Sequence, residues 1–407
     1  MSTKATTGSG RKVAKTVIEI WQWGGPSQLE TFDPKPGAPH DYNNGLKSIK
    51  TNAGFDVHEW LPELAKCADL YSVIRSMTHP YFGHETATYL MQTGHPPGGA
   101  VVYPALGGII SSMKMKDYEG DIAPFVILTQ AKGRFSEVGF LGDFYAPLVT
   151  GGNPNAKVFE VDGIVPPGGL TTEQINKRFE RALRLDRLHN LPIDPAFEAA
   201  GAKARQIICG KAAETFDLSR ETKETRERYG RTVIGQQLLA ARRLVEYGVP
   251  YISINYSGWD SHKRHFESMK RPTAEMDQAV SALLTDLKAK DLLDTTLVWM
   301  CGEFGRVPKV DRQPPWNGGR NHFPICYSAM VAGGGFKGGC VVGESDDTTD
   351  HVKSRPVTPV EFLGSICELA GIDPEGRLPN PKGIELDVMP LPKGKNEGHG
   401  RLKEIYA

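Results

Sequence analysis

Thr296-Leu297-Val298-Trp299-Met300-Cys301-Gly302-Glu303-Phe304-Gly305-Arg306 decides how the chain is read. An apolar run that stops on small residues and a carboxylate has the form of a buried parallel strand, because a strand covered on both faces shows no alternation. Such a strand delivers Glu303 to the carboxyl edge of its sheet, where open α/β folds bind ligands. Two other polar clusters flank it in sequence: Trp259-Asp260-Ser261-His262 after another apolar run, and Arg320-Asn321-His322 in a glycine-rich loop. Together they supply two carboxylates and two imidazoles, the ligand set of a Zn or Mn site.

Working outward, residues 230–247 form a helix with Val233, Ile234, Leu238, Leu239, Leu244 and Val245 as its apolar side, and residues 249–255 follow as a strand. Helix then strand is the rhythm of a parallel crossover. That strand opens onto Asp260 and His262, a carboxylate and an imidazole two residues apart that can converge on one metal from a loop. Residues 273–290 form the next helix, and 326–332 a further strand. Between them, Arg320 has the planar fork to clamp a tetrahedral anion and His322 an imidazole for a metal, unless the loop is a plain surface loop with a packed histidine. The glycines of residues 333–343 read as a hairpin-like turn, matching neither a P-loop nor a dinucleotide motif.

Toward the N-terminus, residues 16–23 have the β-branched and aromatic content of a first strand, ended by Gly24-Gly25-Pro26-Ser27. The loop after it carries Glu30 and Asp33, placed either as ligands at a strand end or as a solvated Asx turn. Residues 60–68 read as a short helix, 70–76 as a second strand and 124–128 as a third. A helix over residues 85–92 puts His84, Thr86 and Thr88 where unpaired amides and the helix dipole attract an anion, although a histidine there also serves as a cap. Residues 171–247 turn helical, 359–369 form a last helix, and the proline-rich residues 379–392 wrap the surface. The architecture is α/β: a doubly wound, mostly parallel central sheet flanked by helices. Residues 1–15 are a polar tail, and 16–407 one domain in which 171–229 are a mainly helical insertion.

The 407 residues, 39% hydrophobic and 24% charged, have the composition of a globular protein with a sizeable core. Lysine plus arginine and aspartate plus glutamate balance at 48 each, so no overall field draws the chain to nucleic acid. The six cysteines lack C-x-x-C pairing and read as buried reduced thiols. No apolar run reaches the ~18 residues of a membrane span. The N-terminus lacks a signal-peptide core, so the chain as written reads as cytoplasmic, with export open to a form whose N-terminus was trimmed.

The chain resembles, over nearly its full length, the bacterial family called domain of unknown function 1501, placed in the alkaline phosphatase and sulfatase superfamily. The resemblance is carried, in order, by Trp23-Gly24-Gly25-Pro26-Ser27-Gln28-Leu29-Glu30-Thr31-Phe32-Asp33-Pro34-Lys35-Pro36, Tyr89-Leu90-Met91-Gln92-Thr93-Gly94, Gly258-Trp259-Asp260-Ser261-His262, Gly302-Glu303-Phe304-Gly305-Arg306 and Gly319-Arg320-Asn321-His322-Phe323-Pro324. It implies an alkaline-phosphatase-like fold. It also implies a metal-dependent hydrolase of phosphate or sulfate esters, acting on a small-molecule or glycan substrate. One or two divalent ions, Zn or Mn ahead of Ca, would be held by Asp260, His262, Glu303 and His322 with Glu30 or Asp33. Arg306 or Arg320 would neutralise the anion, and His84 would attack or protonate the leaving group, with Thr86 a poorer-placed substitute. Counting back from Thr93-Gly94, His84 stands where sulfatases carry their nucleophile, and Glu303-Phe304 stands where the superfamily has a two-ligand pair. These departures keep a second reading open, a non-catalytic protein that grips sulfated or phosphorylated ligands on the same fold. Nothing in the motifs addresses the oligomeric state.

Overall fold

Alternate residues of the strand Thr16–Trp23 leave the backbone on opposite sides. Val17 and Trp21 enter one buried cluster and Ile18 and Ile20 another. Thr296–Cys301 does the same, sending Leu297 and Trp299 one way and Val298 and Met300 the other. Both strands are therefore covered on two faces, which is why their sequences read as unbroken apolar runs.

The computed structural model describes residues 13–99, 101–131, 138–165, 170–188, 195–378, 383, 386–390 and 400–407, with the side chains of 183, 186–188, 195–200 and 203 left aside. Among the described residues one sheet has eight strands: β1 (Thr16–Trp23), β2 (Tyr71–Met77), β3 (Phe125–Leu128), β4 (Leu148–Val149), β5 (Tyr251–Ser257), β6 (Thr296–Cys301), β7 (Tyr327–Ala332) and β8 (Val341–Val342). Their order is β8-β2-β7-β6-β1-β5-β3-β4. Only β7 runs against its neighbours β2 and β6, the other pairings being parallel. The expected α/β architecture, a mostly parallel sheet flanked by helices, is what the chain adopts. The register Trp21↔Asn255 and Trp21↔Cys301 places β1 between β5 and β6. The loops leaving all three strands consequently meet at one edge.

Helix α1 (His84–Thr93) follows β2, α2 (Leu106–Lys114) precedes β3, α3 (Val233–Tyr247) precedes β5, α4 (His265–Ala289) links β5 to β6, and α5 (Pro359–Leu369) follows β8. Leu238, Leu239 and Leu244 of α3 and Val280, Leu283 and Leu287 of α4 cover one face of the sheet, while Phe362 and Ile366 of α5 pack with Trp299 on the other. Between β4 and α3 lie the helices Thr172–Leu188, Pro195–Cys209, Lys211–Phe216 and Lys223–Arg228, in the region read as helical.

Several local expectations are corrected. The helix expected over residues 60–68 is Pro62–Lys66 followed by the 3-10 turn Ala68–Leu70. The glycine-rich stretch 333–343 is not a hairpin, because Val341–Val342 pairs in parallel with β2. Helix α4 starts at His265 with Pro272 inside it, eight residues before the start read at 273. None of the six cysteines is in a disulfide, and Cys301, Cys326 and Cys367 are the buried ones. Among the described residues no helix is long and apolar enough to cross a membrane. Residues 1–12 of the polar tail, 132–137 of the loop before β4, and most of the proline-rich 379–392 lie outside the described residues.

Candidate metal centre

In the loop after β5 burial alternates from residue to residue. Trp259 and Ser261 are buried, while Asp260 and His262 face outward. His322 comes from the short strand His322–Phe323, paired antiparallel with Gly305–Arg306 two residues past Glu303, and His84 is the first residue of α1. One ligand atom from each of His84, Asp260, His262 and His322 lies within 4.8 Å of all the others.

The spacing is close to that of a coordination shell. His262 Nε2 stands 3.0 Å from both Asp260 Oδ1 and His322 Nε2, and His322 Nε2 stands 3.6 Å from Asp260 Oδ1. Donor atoms around a tetrahedral zinc with bonds of ~2.1 Å are ~3.4 Å apart. Proton accounting points the same way. His322 Nδ1 is 2.7 Å from the Phe82 carbonyl and His262 Nδ1 is 2.9 Å from Asn321 Oδ1, both acceptors, so each Nδ1 donates. In the neutral tautomers so fixed, two bare Nε2 lone pairs and a carboxylate oxygen face one another. Such a set has no hydrogen to share and fits a cation, with the two Nδ1 bonds fixing the rings in the manner of metal-binding histidines.

Asp260 is half-exposed, and burial acts to raise its pKa. The Arg306 guanidinium and the hydrogen bonds from Arg306 and His84 oppose burial, and the carboxyl is held far below the ordinary range. His84 Nε2 lies 3.5 Å from Asp260 Oδ2, and its Nδ1 lies 2.6 Å from Glu303 Oε1. These hydrogen bonds, to Asp260 first and then Glu303, lift its pKa to about 9. Glu303 is fully buried, receives the Gly24 N–H at 2.9 Å, and has a buried Oε2 without a hydrogen-bond partner. The Phe304 ring stacks on His322 at 4.4 Å.

Two glycines explain part of the quoted motifs. Gly24 has φ +106°, and a Cβ there would run into the backbone of Asp260; a Cβ on Gly319 would run into the carbonyl of His262. Only glycine lets these three loops lie against one another.

The model of the family described as Protein of unknown function (DUF1501) matches residues 14–392. The chain belongs to that family. No curated protein matches it by sequence. Among solved structures, the DUF1501 chain is similar to a 2-O GAG sulfatase at 11% identity and a TM-score of 0.42, over 92% of this chain and 73% of that one. It is also similar to Ps i-CgsB in complex with k-i-k-neocarrahexaose, at 12% identity and 0.41, over 88% and 72%. A third is alkaline phosphatase from the Antarctic bacterium TAB5, at 12% and 0.39, over 88% and 99%.

In this DUF1501 protein the residues singled out from sequence part into two groups. Asp260, His262, His322 and His84 meet, with Glu303 behind His84 and not at the centre of the cluster. Arg306 lies beneath Asp260, fully buried, its guanidinium bonded to Asp260 Oδ1 at 2.5 Å and to the carbonyls of Gly24, Gly25 and Arg320. With four of its five N–H donors so engaged and the whole side chain buried, it faces Asp260 and the backbone, not an open site where an anion could be clamped as expected. Arg320 is likewise buried and bonded to Glu30 and to the carbonyls of Val307, Pro308 and Tyr42. Glu30 joins His265 and Arg320 instead of the cluster. Asp33 is buried against Lys35 at 3.1 Å and accepts from the Ser345 hydroxyl. Thr86 turns its hydroxyl to the Gly83 carbonyl at 3.1 Å, inside its own helix turn.

Sequence reading passed over His79 and His265. His79 Nε2 bonds the Glu303 carbonyl at 2.7 Å, and burial draws its pKa down to about 4. His265 lay in the open beside Ser261 and His262, at the i+4 spacing from Ser261 that a helix start would have brought together.

Proposed function

We propose that the chain is a metal-dependent hydrolase of phosphate or sulfate esters, with Asp260, His262 and His322 holding one divalent cation and His84 moving the proton. The observation carrying this reading is the meeting of His262 Nε2, His322 Nε2 and Asp260 Oδ1 at 3.0 to 3.6 Å, lone pair toward lone pair. Two imidazoles and a carboxylate suit Zn or Mn better than Ca, which takes oxygen ligands. Three protein ligands with a position left open are the pattern of catalytic zinc. A divalent cation supplies Lewis-acid polarisation of an ester oxygen at neutral pH.

The chain's own groups then have separate tasks. Arg306 holds one oxygen of Asp260, fixing the direction of the carboxylate. Glu303 accepts the Nδ1–H hydrogen bond of His84, which aims Nε2 toward the cluster, where it can give its proton to the leaving oxygen. The choice of phosphate and sulfate esters, small-molecule or glycan, rests on the ordered motifs shared with the DUF1501 family and on that family's place in the alkaline phosphatase and sulfatase superfamily.

The test is turnover of aryl phosphate, phosphodiester and aryl sulfate by protein loaded with Zn or Mn. Hydrolysis of one class, abolished by chelation and by His322→Ala, is the expected result. Cation uptake with no turnover of any class would instead favour a binding protein for sulfated or phosphorylated ligands.

A further inference from the structure

Behind the cluster lies a second, buried set of groups whose connections run to both loops that carry the cluster. Glu30 is 2% exposed, His265 0%, Arg320 1% and Ser261 4%, so the charge on Glu30 has no solvent to stabilise it. Glu30 divides its two oxygens: Oε2 lies 2.7 Å from His265 Nε2, and Oε1 accepts from Arg320 at 2.8 Å. A carboxylate only accepts, so His265 carries its proton on Nε2, and its bare Nδ1 takes the Ser261 hydroxyl proton at 2.5 Å.

The ends of this chain of bonds stop one and two residues from the cluster. Ser261 sits between Asp260 and His262, and Arg320 precedes Asn321 and His322. The backbone repeats the connection, with the Arg320 N–H donating to the Ser261 carbonyl at 3.1 Å and the His265 N–H to the Gly318 carbonyl at 3.1 Å. One carboxylate from the β1 loop is thus the common partner of two loops whose side chains meet in front of it.

We propose that Glu30, acting through His265–Ser261 and through Arg320, is a positioning residue that holds the Asp260–His262 loop and the Asn321–His322 loop in the register needed to bind a cation. This rests on the reading that Asp260, His262 and His322 bind one. Buried ion pairs are often replaceable by apolar groups with no loss of stability, so folding alone does not call for a carboxylate here. A metal site does, because its ligands must stand within ~0.5 Å of their working positions.

Co²⁺ titration of the full chain, followed by visible absorption and paired with melting of the metal-free protein, tests the proposal. Glu30→Gln keeps the side-chain shape, and Ser261→Ala cuts the chain of bonds at its far end while keeping the ion pair. Both are expected to weaken Co²⁺ binding about tenfold or more and to change the visible bands, a signature that a merely structural role would not move. Folded Glu30→Gln protein that binds Co²⁺ within twofold of wild type, with the same spectrum, overturns the proposal. If Glu30→Gln does not fold, Ser261→Ala decides on the same two readouts. Wild-type protein that takes up no Co²⁺ overturns the cation reading itself, an outcome distinct from tight wild-type binding left unchanged by the variants.

Discussion

His84 Nδ1 lies 2.6 Å from Glu303 Oε1, although 219 positions separate the two residues. The contact exists because α1 starts where the loop after β2 ends, and because β6 ends in a fully buried carboxylate at the same edge of the sheet. A carboxylate behind one imidazole nitrogen fixes the tautomer and direction of the other, and here the other faces Asp260.

His84→Ala should therefore separate chemistry from chelation. With Asp260, His262 and His322 intact, bound metal is expected to stay at the wild-type level while kcat falls ~10²- to 10⁴-fold, the range for loss of a general acid. Metal content that falls with the activity would make His84 a fourth ligand instead.

Gly24→Ala is expected to destabilise the protein by ~1–3 kcal/mol and to weaken metal binding together with it, since the new Cβ meets the Asp260 backbone at a φ of +106°. Urea unfolding with metal titration checks both. A variant as stable as wild type, with full metal content, would mean that the loops separate without consequence.

The pair Glu30 and His265 carries a pH dependence of definite sign. Burial acts to raise Glu30, but Arg320 and His265 outweigh it and hold the carboxyl well below its usual range; burial, opposed by Glu30 and helped by the charges of Arg320 and Arg306, brings His265 down to about 4. Both folded values lie below the unfolded ones of ~4.3 and ~6.5, so the unfolded chain binds more protons and stability is lost as pH falls. For His265 the loss runs from pH ~6.5 down to ~4. His265→Gln should flatten the stability curve there by up to ~1.4 kcal/mol per pH unit. An unchanged slope in urea unfolding across that window would contradict the assignment.

Much of the frame was legible in the residues. β1 has the bounds its β-branched and aromatic content gave, and Glu303, Asp260 and His322 do stand where apolar runs and loops break at one sheet edge. What could not be read was which cations are already satisfied. Arg306 and Arg320 stand in glycine-rich loops, the usual setting of an exposed anion clamp, but both are buried and backbone carbonyls from distant loops take up most of their donors. No local pattern encodes that. The helix was read from residue 273, yet α4 runs from His265 through Pro272, and so the partnership of Ser261, His265 and Glu30 stayed hidden. The helix Leu106–Lys114 was masked by Gly107-Gly108, where Gly107 makes room for the Phe125 ring.

The most direct test of the central claim is elemental analysis of purified protein after dialysis, beside Asp260→Ala and His322→Ala prepared in parallel. The arrangement of Asp260, His262 and His322 predicts one tightly held divalent ion per chain in the wild type and its loss in both variants. A wild-type chain without a divalent metal after exposure to Zn and Mn, or variants that keep the full complement, would contradict it.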